Sequence, residues 1–266
     1  MELNEIFGFG GAIIVGLVLG LIGGGGSILT VPIFVYLFAL HPVTATAYSL
    51  FVVGSTSLVG TLRNVKKKNI AFKSALVFTI PAVLAVFITR NYLIPLIPET
   101  VVKIGGVEVS KGLLIMSLFA IVMILASISM IRNKKPESDM ETANDTSRIK
   151  LAFQGLLVGI ITGMVGAGGG FLIVPALVLL AKIPMKRAVA TSLLIIAVNS
   201  LVGFSGDLLI RTIDWYFLVS FTVLSIIGIF FGIWLTKFVS GQQLKKSFGW
   251  FVLVMGIVII YKEFAN

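Results

Sequence analysis

The chain has 266 residues, of which 58% are hydrophobic and only 12% charged, with a mean hydropathy of +1.09. Soluble domains average roughly half apolar and a quarter charged residues, so this composition excludes a water-solvated globule and requires lipid around most of the surface. The net charge of +10 would suggest nucleic acid in a soluble protein, but the basic residues here lie in connections between apolar runs, where they set membrane orientation. The chain contains no cysteine and one histidine, which removes disulfides, thiolate metal sites and a cysteine nucleophile. No metal, cofactor or nucleic-acid partner is expected, and general acid–base chemistry lacks its usual groups, so an enzyme is not expected either.

The N-terminal residues Met1 to Glu5 lack the basic region of a cleavable signal, so the first apolar stretch is expected to remain in the mature chain. In chain order, runs free of Asp, Glu, Lys and Arg cover 6–22, 28–40, 43–62, 74–89 and 112–131, then 151–165, 171–181, 188–206, 215–236 and 247–261. Each is expected to be a helix, because a helix satisfies its backbone hydrogen bonds internally and the alternating pattern of barrel strands is absent. The residues at 132–150, rich in Lys, Glu, Asp and Ser, form a hydrophilic linker between a first repeat at 1–131 and a second at 151–266.

The two halves match without gaps at an offset of 143, which pairs GGGGSILTVP from Gly23 with GAGGGFLIVP from Gly166. Ala45, Ala47, Ser49 and Leu50 fall on Ala188, Ala190, Ser192 and Leu193, and the Ser-Leu-Val-Gly beginning at Ser57 falls on that beginning at Ser200. Glycine, proline and serine held in one register over this distance indicate an internal repeat. Basic clusters occur at Arg63 to Lys73, at Arg132 to Lys135, at Lys182 to Arg187 and at Lys237 to Lys246. An odd number of crossings per half puts all of them on the cytoplasmic side and both termini outside. The halves are then inverted copies, an architecture common among secondary transporters.

Two glycine-rich breaks interrupt the pattern. Gly23, Gly24, Gly25 and Gly26, followed by Ser27, separate the first two runs, and Gly166, Gly168, Gly169 and Gly170 separate the sixth and seventh. The flanking runs are too short to span about 30 Å of hydrocarbon comfortably, so re-entrant hairpins or short tilted helices are expected. Unwound backbone at membrane depth is tolerated where it lines a cavity, and a helix starting there aims N–H groups and a positive dipole end at the break, which favours anions. Gly24, Gly25, Gly26, Ser27, Gly168, Gly169 and Gly170 are therefore candidate solute contacts. By contrast, the pairs Gly16 and Gly20, Gly159 and Gly163, and Gly228 and Gly232 suit close helix packing.

Hydroxyls dominate the third run of each half, and Ser49 and Ser192 occupy equivalent positions. They can bond an oxyanion without burial of a charge. Asn199 is the most polar residue well inside a run and needs a partner there, so it joins the candidate set. Arg63, with Lys66 to Lys68, would concentrate anions at a cytoplasmic mouth. No acidic or basic residue lies in the middle of any run, and Asp207 and His41 fall at run ends as interfacial residues.

The two glycine-rich stretches ending in Val-Pro, together with Ala-Tyr-Ser-Leu from Ala47 and Ala-Thr-Ser-Leu from Ala190, resemble the TauE/SafE family of membrane proteins. The resemblance covers both halves. It implies export of sulfite, sulfoacetate or a related organosulfonate, or of another organic anion, from a prokaryotic cell. The second break writes Gly170 where the first has Ser27, a departure from two-fold sameness. The expectation is thus an all-α polytopic bundle of two inverted repeats in the cell inner membrane. It would move a small anionic solute outward by alternating access, with an anion channel or a carrier of non-sulfur anions as alternatives, and a homo-oligomer is compatible with it.

Overall fold

The computed structural model describes residues 3–66, 68–104, 107–132, 148–165, 169–208 and 212–265. The helices are α1 (Leu3–Ile22), α2 (Gly25–Tyr36), α3 (Pro42–Lys66) and α4 (Phe72–Ile88). Helix α4 runs on through a π-helical turn at Thr89–Leu93 and a last turn at Ile94–Leu96. After it come α5 (Lys111–Arg132), α6 (Arg148–Val165), α7 (Gly170–Pro175, continued as π-helix Ala176–Leu180), α8 (Met185–Leu208), α9 (Trp215–Leu235) and α10 (Gly241–Ala265). Each follows an apolar run of the sequence. Most of the linker lies outside the described residues.

Between α4 and α5 an antiparallel pair of short strands, β1 (Thr100–Ile104) and β2 (Val107–Ser110), adds the only sheet among the described residues. The sequence signal for it is the alternation on either side of Gly105 and Gly106, a pairing typical of two-residue hairpins.

Six helices among the described residues are long and apolar enough to cross a membrane: Pro42–Lys66, Phe72–Leu96, Lys111–Arg132, Met185–Leu208, Trp215–Leu235 and Gly241–Glu263. The apolar windows of α3 and α8 are 72% buried, against 33% for α4 and 44% for α5 and α9. Helices α3 and α8 are therefore the central pair, and the others surround them. The outer helices present apolar stripes at helical spacing, such as Leu76, Ile80, Leu84 and Ile88 on α4, which suits lipid as the neighbour.

Small residues set which helices meet. A Cβ at Gly16 would lie 2.8 Å from Ile229 N, and one at Gly20 would lie 2.5 Å from Ile229 O, so α1 and α9 pack backbone to backbone, and in parallel because the contact numbers rise together. Gly159 against Ala82 and Ala85, and Gly163 against Val86 and Thr89, give the same parallel packing to α6 and α4. These contacts are copies: Ala82, Val86 and Thr89 lie 143 residues before Ser225, Ile229 and Gly232. The central helices run the opposite way. Gly54 meets Ser200 and Leu201, Gly60 meets Leu193 and Gly203 meets Leu50, so α3 and α8 cross antiparallel. Helices α5 and α10 are also antiparallel, with Gly249 against Ile131 and Gly256 against Ile124. Exchanging the first five helices with the last five leaves the principal pairings unchanged: α1 with α9 becomes α6 with α4, while α3–α8 and α5–α10 map onto themselves.

Candidate functional site

Helices α1 and α2 form an antiparallel hairpin, with Gly26 on Val15 and Leu19, and Gly11 on Ile33. The reversal uses Gly23 at φ +82, a left-handed conformation that a side chain resists. A Cβ there would also sit 2.6 Å from Ser192 Oγ and 2.9 Å from Val189 Cα, so the first break is seated on α8 of the other half. Helix α2 starts at Gly25, with Gly24 as a cap residue that offers no side-chain hydrogen bond. Ser27 therefore lies within the first turn and not at the cap. Inside the same helix Thr30 donates to the Gly26 carbonyl at 2.9 Å.

The second break ends at Gly169, φ +71, packed on Thr162. Gly168, with Gly166 and Ala167, lies outside the described residues. The two breaks meet: a Cβ on Gly170 would come 2.5 Å from Gly24 Cα and 2.7 Å from Ile196 Cδ1. The backbone at the cap of α2, Gly24, touches the first residue of α7, Gly170, and only glycine on both sides permits it. A helix start leaves its first N–H groups without intrahelical acceptors and carries positive dipole character.

Beside this junction lies the α3–α8 crossing. Ser49, Thr56 and Ser57 of α3 and Asn199 and Ser200 of α8 are at most 1% exposed. Among the described residues, no protein group hydrogen-bonds Ser49 Oγ, Thr56 Oγ1, Ser57 Oγ, Ser200 Oγ or either polar atom of the Asn199 amide. Thr56 and Ser57 lie 143 residues before Asn199 and Ser200, so each half supplies the same two positions. Ser200 faces α3, its Cβ 3.1 Å from where a side chain on Gly54 would begin. Ser49 is about two turns from Thr56 on the same face of α3.

Other hydroxyls are satisfied on their own helix. Ser192 donates to the Val189 carbonyl at 2.8 Å, Thr61 to Ser57 O at 2.8 Å and Thr191 to Arg187 O at 2.7 Å. Ser49 and Ser192, equivalent in sequence, thus differ: one hydroxyl lacks a protein partner and the other is held next to the first glycine break. Arg63 stands at the end of α3 with its guanidinium 5.5 Å from the centre of the Phe230 ring, away from the crossing.

The charged residues hold a further feature that the run boundaries concealed. Because α4 does not stop at Thr89, Arg90 is carried into the packed interior, where its Nη1 lies 3.4 Å from Asp207 Oδ2 and donates to Thr46 Oγ1 at 3.2 Å. The side chains of this ion pair are 1% and 7% exposed. Asp207 is accordingly buried within the protein at the end of α8.

A family model described as Sulfite exporter TauE/SafE matches residues 8–259. Among curated relatives, a probable membrane transporter protein of Xylella fastidiosa (strain 9a5c) is 29% identical over 95% of this chain and 94% of its own length. Probable membrane transporter protein YunE of Bacillus subtilis is 30% identical over 93% and 92%, and a probable membrane transporter protein of Methanocaldococcus jannaschii is 26% identical over 93% and 94%. No solved structure matches the chain. A glycine-broken hairpin, a helical bundle built for lipid and a match over nearly the whole length place this chain in the TauE/SafE family of membrane transporters.

Proposed function

We propose that the chain is a carrier that exports a small anion, in the class of sulfite, sulfoacetate or a related organosulfonate, from the cytoplasm by alternating access. The observation that carries this reading is the set of buried hydroxyls and the Asn199 amide at the α3–α8 crossing with no hydrogen-bond partner among the described residues. Each buried polar atom left without a partner costs about 1–3 kcal/mol, so a polar solute or its water is the natural occupant. The adjoining start of α2 contributes N–H groups and a positive dipole end, which suit an oxyanion. Ser49, Asn199 and the glycines Gly24, Gly25, Gly26, Gly169 and Gly170 form the core of the proposed binding region. Ser27, Gly168 and Ser192 flank it, and Arg63 draws anions to the cytoplasmic mouth.

The movement follows from the two halves, 1–131 and 151–266, acting as inverted repeats. Antiparallel packing of the equivalent pairs α3–α8 and α5–α10, and the exchange-invariant pairings, support that relation. Rocking of one half against the other about the α3–α8 crossing opens the polar cluster to each side in turn. The basic clusters put the Arg63 end in the cytoplasm and both termini outside the inner membrane.

The test is thermal stabilisation of the detergent-solubilised protein by sulfite, sulfate, sulfoacetate, taurine, lactate and a cation control. A ligand at 100 times its Kd stabilises the folded state by about 2.7 kcal/mol. A rise with a sulfur oxyanion that vanishes in Asn199→Ala is the expected result. Stabilisation by carboxylates alone would overturn the sulfur assignment, and stabilisation by the cation alone would overturn an anion site.

A further inference from the structure

We propose that Arg90 and Asp207 form a one-sided gate on the extracytoplasmic mouth of the carrier, so that the empty protein opens preferentially to the cytoplasm. This rests on the carrier reading above. The pair joins α4 to α8, and the bond from Arg90 to Thr46 brings in α3, so three helices are tied at one end of the bundle. That end is opposite to Arg63 and Lys66. Asp207 closes α8 while the two basic residues close the antiparallel α3, and Arg90 lies in the far part of an α4 that begins just after the basic loop.

The equivalent positions at the other mouth do not repeat this tie. Residues 143 away from Thr46 and Arg90 are Val189 and Ile233, and the residue 143 before Asp207 is Asn64. This register holds at the very positions concerned, since Gly163 packs on Thr89 just as Gly20 packs on Gly232. Val189 and Ile233 are apolar and buried, and Asn64 donates to the Gly60 carbonyl of its own helix at 3.0 Å. At these positions, therefore, one mouth holds an ion pair shielded from water where its counterpart holds apolar contact and an intrahelical bond. Two otherwise equivalent openings thus differ in free energy, and the difference biases the population of the two states. For an exporter this bias leaves the empty site facing its supply of solute.

The absence of cysteine makes a single reporter thiol straightforward. Ser49→Cys lies one turn inward of Thr46 and is fully buried. In right-side-out vesicles, an impermeant thiol reagent added outside should label this reporter slowly. Adding Asp207→Asn or Arg90→Met should accelerate labelling by about tenfold or more, and exchange of the charges, Arg90→Asp with Asp207→Arg, should restore the slow rate. Unchanged labelling in the single variants overturns the gate, as does equal acceleration from both sides of the membrane. Each protein is first checked for a monodisperse elution profile. Thr46→Ala loosens the tie without stranding a charge and carries the test if neither charge variant folds, with a smaller acceleration expected. A second reporter, Ser192→Cys, separates this inference from the reading beneath it. In a carrier its labelling from the cytoplasmic side slows as the outer mouth opens. An unchanged rate there, with Ser49→Cys accelerated, overturns the carrier and keeps the ion pair as the gate of one mouth.

Discussion

Asn199 sits next to Ser200 in an otherwise apolar stretch of α8 and is 1% exposed, with neither its amide nitrogen nor its oxygen bonded to a protein group among the described residues. A structural amide would be held by a neighbouring helix, and its loss would lower stability. An amide reserved for solute has no such role, so Asn199→Ala should leave the melting temperature unchanged or raise it while abolishing ligand-induced stabilisation and flux. Thermal melts with and without ligand on the same preparation check this. Gly23 makes a complementary prediction, because its φ of +82 and its contact with Ser192 both resist a side chain. Gly23→Ala should cost about 1–2 kcal/mol from backbone conformation alone. Gly10→Ala, where nothing lies within 4 Å, should be neutral or slightly stabilising through helix propensity. Asn199 could be picked out from sequence because an amide is expensive anywhere in an apolar run. The orphaned hydroxyls of Thr56 and Ser57 could not be separated from that of Thr61, since serine and threonine often bond to their own helix, and which of them do so is decided by rotamer and neighbour.

At the scale of elements, the helices follow the apolar runs closely because the hydrocarbon imposes both the helical state and its length. Where charge served as the boundary, the boundary was wrong: α4 continues through a π-helical turn and takes Arg90 inward, as Asp207 across the bundle compensates its charge. A single sequence does not say that residues so far apart will pair. Helix-to-helix contact through glycine was legible, and it has a measurable consequence. A methyl on Gly16 would overlap the Ser225 carbonyl and press on Ile229. Gly16→Ala should therefore separate α1 from α9 and cost about 1–3 kcal/mol, the usual range for overpacking, read as a lower midpoint in a thermal melt.

For the whole molecule, the consequence with the widest reach concerns topology. Equivalent central helices run antiparallel, and principal pairings survive exchange of the halves. Accessible tags on the N- and C-termini should therefore both be reached from outside the cell and shielded in inside-out vesicles. Tags on opposite faces would remove the inverted-repeat relation and with it the rocking mechanism.

The sequence by itself determined that the chain is helical, that it lies in a membrane and which family it belongs to. Hydropathy, glycine spacing and repeat register are one-dimensional properties, and the bilayer reads them locally. Only the tertiary structure decided that the two glycine breaks touch, that Gly23 rests on Ser192 of α8, that Ser49 and Asn199 lack partners among the described residues and that Arg90 finds Asp207. Each of these depends on how helices distant in sequence pack against one another, and on which of several available hydrogen bonds that packing permits.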